Sequence, residues 1–455
     1  MLLTVKARFL IPLFAFLALA LGYQNCGRGF KLSETGVDSE SPESPRPTPA
    51  PLPFNFLTSA LGIDIVANQT TTAELSPCPP GTTGLDKDHF VLVGTANVKE
   101  AVKITGGTCL SGANFGTLTF TTTNTYARDA FLASASMGLQ EEGNTILAKG
   151  GGTLSVPSGV VKVSAPMTFN GAGKAVGLMI SLKSDSVIEF PDGMVGDGIT
   201  IMGDLNGTRM IDSGIVGGKI WAGSNTNTIT GSLVFIIAVN NVLVKATEIR
   251  GGKFAGVFMK RVDKAEVAGS FFAHNLFDVI CSTYPVMRVL TTLGEACYNI
   301  HVHDNKFSDK LDPGGTAVHT ADLGANWIIE NNEFNNLIGN GIINKVENSG
   351  FKILNNKFNS NMGSIDIKLD ASNSSVMGNV FTGRTVGATL NNEGSNQTIT
   401  GNTFSNISLL NALSTYFGSN YTIANNTCTN VVSTTSFFFG PNSTGNVVQN
   451  NLGCN

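Results

Sequence analysis

Ile353-Leu354-Asn355-Asn356-Lys357-Phe358 carries a pattern that recurs along the second half of the chain. With Asn356 as the reference, equivalent positions are Thr247, Ser270, Asn305, Asn332, Asn356, Asn379, Asn402, Asn426 and Asn451. The intervals between them are 23, 35, 27, 24, 23, 23, 24 and 25 residues. A repeat of this length predicts a solenoid in which each copy forms one coil.

Apolar residues keep fixed positions around this reference. Three residues before it lie Val244, Val267, Val302, Ile329, Ile353, Val376, Ile399, Ile423 and Val448. Two residues after it come Ile249, Phe272, Phe307, Phe334, Phe358, Phe381, Phe404 and Cys428. Parallel strands stacked about 4.8 Å apart place like residues on like residues, so we predict interior columns. A leucine-rich repeat, the rival of similar length, needs regular Leu positions that are absent.

The polar reference position has two predicted roles. Asn tolerates the left-handed backbone conformation, which suits a sharp turn between two strands. Stacked Asn side chains also hydrogen-bond along the axis of stacked parallel strands. We therefore expect the reference residues to form both a turn and a ladder.

Each coil has a second apolar strand upstream of the Val/Ile column. Alternation predicts an inward and an outward set of side chains in two adjacent coils. The inward residues are Ile342, Asn344, Val346, Ile365, Ile367 and Leu369. The outward residues are Lys345, Glu347, Asp366, Lys368 and Asp370.

A second signature lies just before the repeats. Residues 126–142 have helical character, with Phe131, Leu132, Ala135 and Leu139 on one face. Gly150-Gly151-Gly152-Thr153-Leu154-Ser155-Val156-Pro157-Ser158-Gly159 follows. A short helix before a Gly-Gly-Thr-strand-Pro-x-Gly run resembles the start of the β-helix in the pectate-lyase-like superfamily, where the helix caps the solenoid. With the repeat, this predicts an all-β, right-handed parallel β-helix of about 12 coils over residues 123–455, with a short N-terminal capping helix.

The N-terminus predicts export. Lys6 and Arg8 precede an apolar stretch, residues 9–22, that is short for a bilayer span and typical of a signal peptide, which we assign to residues 1–25. The flank of Cys26 resembles a bacterial lipoprotein cleavage site, although Asn25 stands where that family has Gly or Ala. A lipid anchor at Cys26, with an outer-surface or periplasmic location, and simple secretion both stay open.

Two further segments precede the solenoid. Residues 26–53 contain alternating prolines, which fix an extended chain and predict a Pro-rich tether. Residues 54–122 contain strand-like runs and predict a small β module of unknown role.

Six cysteines beyond Cys26 fall into three local pairs. We predict Cys78–Cys109, Cys281–Cys297 and Cys428–Cys454, since disulfides persist in exported proteins. Six cysteines allow fifteen pairings, so the connectivity is a hypothesis. The second pair would close an insertion of about eleven residues in the longest interval of the repeat.

Composition and motifs narrow the function. Charged residues are only 14% of the chain and the formal net charge is −4, which gives no support to nucleic-acid binding. His301 and His303 share one strand face but lack further ligands, so no metal site is predicted. The only membrane contact that the sequence predicts is through the lipid anchor at Cys26.

The resemblance implies a polysaccharide or cell-surface glycan as partner, with Ca²⁺ as cofactor if the protein is a lyase. The Asn-Thr-Asp, Asp-Asp and Gly-His-Gly patterns of the superfamily's hydrolases are not intact, and no Asp cluster resembles a lyase calcium site. Three functions stay open: a polysaccharide lyase or hydrolase, a non-catalytic surface-tethered adhesin that binds glycan, and a structural stalk.

The predicted site is the outer face of the upstream strand stack. Lys345 and Lys368, in adjacent coils, would form a cationic line for the carboxylates of an acidic glycan, with Asp366 beside them. If catalysis occurs, Asp278 or His319 would be the acid or base.

Two loops would border this face. Arg288 lies in the loop closed by Cys281–Cys297 and would wall one side, while Asp312, with Asp309 and Lys310, would come from the opposite corner. The alternative is that these charged side chains only make an exposed sheet face polar and bind no ligand.

Overall fold

A computed structural model describes the chain from residue 59 to residue 454 with gaps. The described residues are 59–60, 62–75, 90–93, 99–102, 104–108, 115–128, 130–134, 136, 139–156, 158–163, 165–222, 229–281, 297–308, 315–320, 324–344, 350–363, 365–384, 388–408, 411–415, 418–432 and 435–454. The predicted signal peptide, the tether and Cys26 lie outside these ranges.

Two small antiparallel sheets come first. One contains Thr70–Leu75, Ile104–Gly107 and Gly116–Thr121. The other contains Ser59–Ala60, Phe90–Val93, Lys99–Val102 and Phe131–Ser134. The predicted helix over residues 126–142 was wrong for residues 131–134, because this apolar run pairs with strands on both sides.

One helix among the described residues, Leu139–Ala148, covers the first coil. Leu139 and Leu147 are buried in the solenoid core. The Gln140 side chain accepts a hydrogen bond from the Thr168 amide at 2.6 Å and donates one to the Thr168 carbonyl at 2.7 Å. The short capping helix is confirmed, although it begins thirteen residues later than the sequence pattern indicated.

The rest of the described chain is a parallel β-solenoid of about ten turns, against about 12 expected. Each full coil has three strands, on faces that we name A, B and C in chain order. Face A contains Met167–Asn170, Ile199–Met202, the first parts of Val234–Lys245 and Ala255–Ala268, Phe277–Cys281, Thr316–Thr320, Asn340–Asn344, Ile365–Leu369, Ala388–Asn392, Asn411–Thr415 and Thr435–Phe439.

Faces B and C follow in each coil. Face B contains Gly152–Val156, Leu178–Leu182, Met210–Val216, the second parts of Val234–Lys245 and Ala255–Ala268, Cys297–His303, Gly324–Ala325, Ile328–Glu330, Lys352–Leu354, Ser375–Met377, Thr398–Thr400, Thr422–Ala424 and Val447–Gln449. Face C contains Gly159–Lys162, Ser186–Phe190, Lys219–Ala222, Glu248–Arg250, Phe271–Ala273, Lys306–Ser308, Glu333–Asn335, Lys357–Asn359, Val380–Thr382, Thr403–Ser408 and Thr427–Val432. Faces A and B belong to one sheet, because two long strands bend through both.

The strand register confirms both predicted apolar columns. Every step of the Val/Ile column is a register pair on face B, and the eight members from Val244 to Ile423 are 0% exposed. The Phe column runs through face C, and its rings stack with centroids 4.5–5.2 Å apart. Interior stacking of like residues therefore holds this part of the solenoid together.

The Asn ladder is confirmed at the corner between faces B and C. From Asn305 to Asn426, each Nδ2 donates to the Oδ1 of the next coil's Asn at 2.9–3.0 Å. The predicted left-handed conformation was wrong by one residue, since it falls on Asn331, Asn355 and Asn425. The preceding residue makes the turn because the reference side chain points inward to join the ladder.

Candidate functional site

Strand register defines the outward side of face A, on which the predicted site lies. One column of side chains runs parallel to the solenoid axis, with one residue per coil. Its members are Thr168, Thr200, Phe235, Phe258, Ile280, His319, Ile343, Lys368 and Asn391. The flanking residues, such as Val257 and Met259, belong to the core, so alternation turns this column outward.

Aromatic residues dominate the first half of this outward column. The Phe235 and Phe258 rings stack at 4.7 Å with an angle of 9°. Phe254 and Phe277 meet this pair edge to face at 5.3 and 5.6 Å. Sequence reasoning missed this aromatic strip, although Phe235 and Phe258 occupy outward positions of apolar strands and could have revealed it.

His319 lies in the same outward column, between Ile280 and Ile343. Its ring contacts the Phe277 ring edge to face at 5.1 Å, and the residue is 7% exposed. The surroundings of His319 in the column are therefore apolar, and the imidazole extends the aromatic strip by one coil.

Asp278 and Asp366 are not on the outward surface, which corrects their predicted placement. They are 0% and 2% exposed, and the register aligns both with Ala317, which lies in the core. The alternation rule failed because the first residues of these strands lie at a corner, where Asp366 and Ile367 are both buried while Ile365 is partly exposed.

The corner between faces C and A explains how these carboxylates are accommodated. Asn275 Nδ2 donates to Asp278 Oδ1 at 3.0 Å. Asp366 Oδ1 accepts from Asn361 Nδ2 at 2.9 Å and from Arg384 Nη1 at 2.7 Å. Burial raises the pKa of Asp366 to about 6, although Arg384 acts in the opposite direction. This is a buried ion pair of the core and not a substrate-binding group.

Lys368 continues the outward column after Ile343. Its Nζ lies 3.3 Å from Glu393 Oε1 and 3.6 Å from Asp370 Oδ2, and its side chain is 24% exposed. The register partner of Lys368 is Ile343, and Lys345 lies outside the described residues, so the predicted cationic line stays a prediction. What the structure brings together here is one ammonium group between two carboxylates, beside Asn391.

Several predicted site residues lie outside the described residues: Arg288, Asp309, Lys310, Asp312 and Lys345. The same holds for Cys78 and Cys109, so that pairing stays a prediction. The other two disulfides are present. Cys281 and Cys297 are joined with Cα atoms 6.3 Å apart, and Cys428 and Cys454 with Cα atoms 5.0 Å apart.

Face B presents the two histidines outward, as expected. The His301 and His303 rings stack at 4.1 Å, and His301 Nε2 lies 2.7 Å from Glu330 Oε1. In the part of the chain that the structure describes, no three His, Cys, Asp or Glu side chains form a group that could hold a metal ion.

The described ranges also contain no helix that is both long enough and apolar enough to cross a membrane.

Comparisons with known proteins concern the fold alone. No protein-family model and no curated protein matches the sequence. The chain has the right-handed parallel β-helix fold. The surface adhesin PfbA of Streptococcus pneumoniae is 14% identical, with 68% of this chain and 89% of that chain covered and a TM-score of 0.43.

Two further solved structures share the fold at similar distance. The catalytic unit of a thermostable alpha-1,3-glucanase from Streptomyces thermodiastaticus is 12% identical, with 84% of this chain and 89% of that chain covered and a TM-score of 0.42. A tailspike protein of an E. coli bacteriophage, solved with a pentasaccharide, is 14% identical. The match covers 70% of this chain and 61% of that chain, with a TM-score of 0.48.

Proposed function

We propose that the protein binds a polysaccharide along the outward side of face A without cleaving it. The observation that carries the proposal is the outward column itself, which joins an aromatic strip to a cluster of hydrogen-bonding groups. Phe235, Phe254 and Phe277 are partly exposed at one end, and Lys368 and Glu393 at the other.

This combination suits a sugar chain. A sugar ring has an apolar C–H face, which packs on aromatic rings, and a rim of hydroxyl groups that both donate and accept hydrogen bonds. Lys368 supplies donors, the carboxylates of Asp370 and Glu393 supply acceptors, and Asn391 supplies both. Coils stack about 4.8 Å apart, so a chain lying along the axis spans several coils. The middle of the column, from Phe258 to Ile343, is buried, and the groups accessible to such a chain lie at its two ends.

The charges at this cluster favour a neutral glycan over an acidic one. Lys368 contacts two carboxylates, Asp370 and Glu393. The three described groups together carry a net negative charge, which repels the carboxylates of an acidic chain. Among the described residues of the column, the register neighbours of Lys368 are Ile343 and Asn391, neither of which is a cation.

The burial of the predicted acid or base supports binding without cleavage. Asp278 is fully buried at a corner of the core, out of reach of a chain on the outward surface. General acid–base catalysis requires a group within hydrogen-bond reach of the reacting atoms. His319 is 7% exposed, and its ring packs edge to face on Phe277.

Export to an oxidising compartment completes the proposal. The disulfides Cys281–Cys297 and Cys428–Cys454 are of a kind that persists in compartments more oxidising than the cytosol. The sequence also begins with a signal-peptide pattern. A lipid on Cys26 and the Pro-rich residues 26–53 would hold the solenoid at a cell surface, where a glycan is accessible.

The test measures binding of the full chain to a panel of neutral and acidic polysaccharides. Lys368→Gln is compared with Lys245→Gln, which removes a cation that lies at the same 3.3 Å from a Glu on face B. We expect Lys368→Gln to weaken binding to a neutral glycan by about tenfold and Lys245→Gln to leave it unchanged. Equal binding by both variants, with unchanged melting, would remove face A from consideration.

The same incubations decide between binding and cleavage. We expect no new reducing ends and no unsaturated products, with or without Ca²⁺. Either product, absent from a heat-inactivated control, would replace the binding proposal with a hydrolase or a lyase.

A further inference from the structure

Two of the described arginines, at the corner between faces A and B, differ from the others in their partners. The described ranges contain five arginines, and Arg128, Arg250 and Arg384 lie 3.4, 3.8 and 2.7 Å from a carboxylate oxygen. Arg209 and Arg261 form no ion pair within 4.0 Å with any carboxylate of the described ranges. Both are partly buried, so water solvates their charges only in part.

The strand register places these two arginines two coils apart. Arg209 directly precedes Met210, whose ladder partner in the next coil is Val239. Arg261 is equivalent to Ala238 one coil later, because the register is unbroken on both sides of this position. Both residues have a left-handed backbone, with φ of 54° at Ala238 and 53° at Arg261. The coil between the two arginines therefore has only a methyl group at this corner.

Both arginine side chains extend over that middle coil. Arg209 Nη1 donates to Asn240 Oδ1 at 2.9 Å, which lies in the middle coil. Arg261 Nη1 donates across the middle coil to the Asp204 carbonyl oxygen at 3.0 Å, in the coil of Arg209. Both acceptors are uncharged oxygens, so these bonds hold the guanidinium groups in place without neutralising them. The two cations are thus held on the same side of the solenoid, over the small Ala238.

The charges of the two arginines act on each other. Burial, and then the positive charge of Arg261, lower the pKa of Arg209, while Asp263 and Tyr298 act in the opposite direction. Asp263 compensates only in part, since its Oδ1 accepts a hydrogen bond from Asn299 Nδ2 at 2.7 Å. Two partly buried cations in such proximity are unfavourable unless an anion joins them.

We propose that Arg209 and Arg261 together bind a phosphate or sulfate group. A guanidinium group presents a planar fork of N–H donors that matches the oxygens of such groups. One tetrahedral group offers oxygens to both forks, and its negative charge would offset the repulsion between the two cations. The group can be a free anion or an ester carried by a larger molecule. Arg261 follows Phe258 of the aromatic strip by three residues, but the inference does not depend on the proposed glycan site.

The experiment is isothermal titration calorimetry of the full chain at low ionic strength, with inorganic phosphate, inorganic sulfate, dextran sulfate and uncharged dextran as probes. We expect the inorganic anions to bind, and Arg209→Gln and Arg261→Gln each to weaken binding at least about tenfold. Arg250→Gln is the matched control, because Arg250 is also partly buried but has Glu248 at 3.8 Å. This control, and Lys368→Gln at the proposed glycan site, should bind the anions as the wild type does.

Thermal melting gives a second readout, with circular dichroism to verify the fold of each variant. At constant ionic strength, sulfate should raise the melting temperature of the wild type more than that of Arg261→Gln, because a ligand of the folded protein stabilises it. The general stabilising effect of sulfate acts on all variants alike.

Two results support the proposal and identify the source of the group. Binding of inorganic phosphate or sulfate that both Arg209→Gln and Arg261→Gln weaken indicates a free anion. Binding of dextran sulfate alone, with the same loss in both variants, indicates an ester. No binding of any anionic probe, binding that both variants retain, or an equal loss in Arg250→Gln overturns the proposal.

Discussion

The two corners that flank face C of each coil accommodate buried polar groups in different ways. At the corner between faces B and C, one residue type repeats, and each Asn satisfies the next coil. At the corner between faces C and A, unlike residues meet, and Asp366 depends on Asn361 and Arg384. Arg384 Nε and Thr389 Oγ1 remain without hydrogen-bond partners among the described residues. In the ladder, each Asn has the same kind of hydrogen-bond partner in the next coil. At the C–A corner, the buried carboxylate is satisfied only while each of its unlike partners is present.

The largest expected effect comes from a charge placed in the repeated part. Ile399→Asp puts a carboxylate between Val376 and Ile423, all fully buried, and should lower the free energy of unfolding by about 5 kcal/mol. Chemical denaturation checks this. Ile407→Val, a loss of one methylene group, is the mild control at about 1 kcal/mol. Unchanged melting of Ile399→Asp would contradict the inward placement of the column.

The next effect tests the unlike corner. Arg384→Met removes the cation from Asp366 and should cost about 3–4 kcal/mol at pH 8, because a buried carboxylate loses its partner. The double variant Asp366→Leu with Arg384→Met removes both charges and should recover most of that loss. If the double variant is no more stable than the single one, packing rather than charge explains the defect.

A smaller effect tests the ladder. Asn379→Ala leaves the backbone N–H and Nδ2 of Asn356 without their acceptor and should cost about 2 kcal/mol. Asn335→Ala removes the acceptor of a single side-chain bond from Asn359 on the partly exposed outer side and should cost less than about 1 kcal/mol. Similar losses in the two variants would mean that the ladder adds nothing beyond an ordinary side-chain hydrogen bond.

A further effect is a pH dependence. The pKa of Asp366 is raised to about 6, so this group adds stability that is fully present below about pH 4 and is lost as the pH rises through 6. Asp366→Asn cannot titrate, and the difference in melting temperature between wild type and variant should change in favour of the variant between pH 4 and pH 7. A constant difference would show that the pKa is not raised.

The two corners also differ in how far their structure could be predicted from the sequence. At the B–C corner the Val/Ile, Asn and Phe columns were predicted residue by residue, because six of the eight intervals are 23–25 residues and fix their register. Only the left-handed turn was misplaced, by one residue. The C–A corner was not predicted, since Asp366 and Arg384 each occur once and lie 18 residues apart. Strict alternation turned Asp366 outward, whereas Asp366 and Ile367, the second and third residues of the strand, are both buried.

The candidate site on face A could be predicted from the sequence only in part. Outward placement of Lys368 could be predicted from alternation on face A, whereas the alternation left the register of His319 open by one residue and did not predict the pairing of Lys368 with Ile343. Loop lengths between faces A and B vary from coil to coil, so the repeat on face B does not transfer its register to face A. The phenylalanines of the aromatic strip share no sequence motif. They come from separate coils, so they form one feature only when the coils are stacked.

The Asn ladder has a consequence for the length of the molecule. Each Asn requires only an identical Asn one coil away, and the interval from Asn356 to Asn379 is one whole coil of 23 residues. Removing residues 356–378 would place Asn379 directly after Asn355, with the Val/Ile, Asn and Phe columns still in phase. We expect such whole-coil gains and losses to preserve the fold, so a chain of this kind can change its reach during evolution without redesigning its interior.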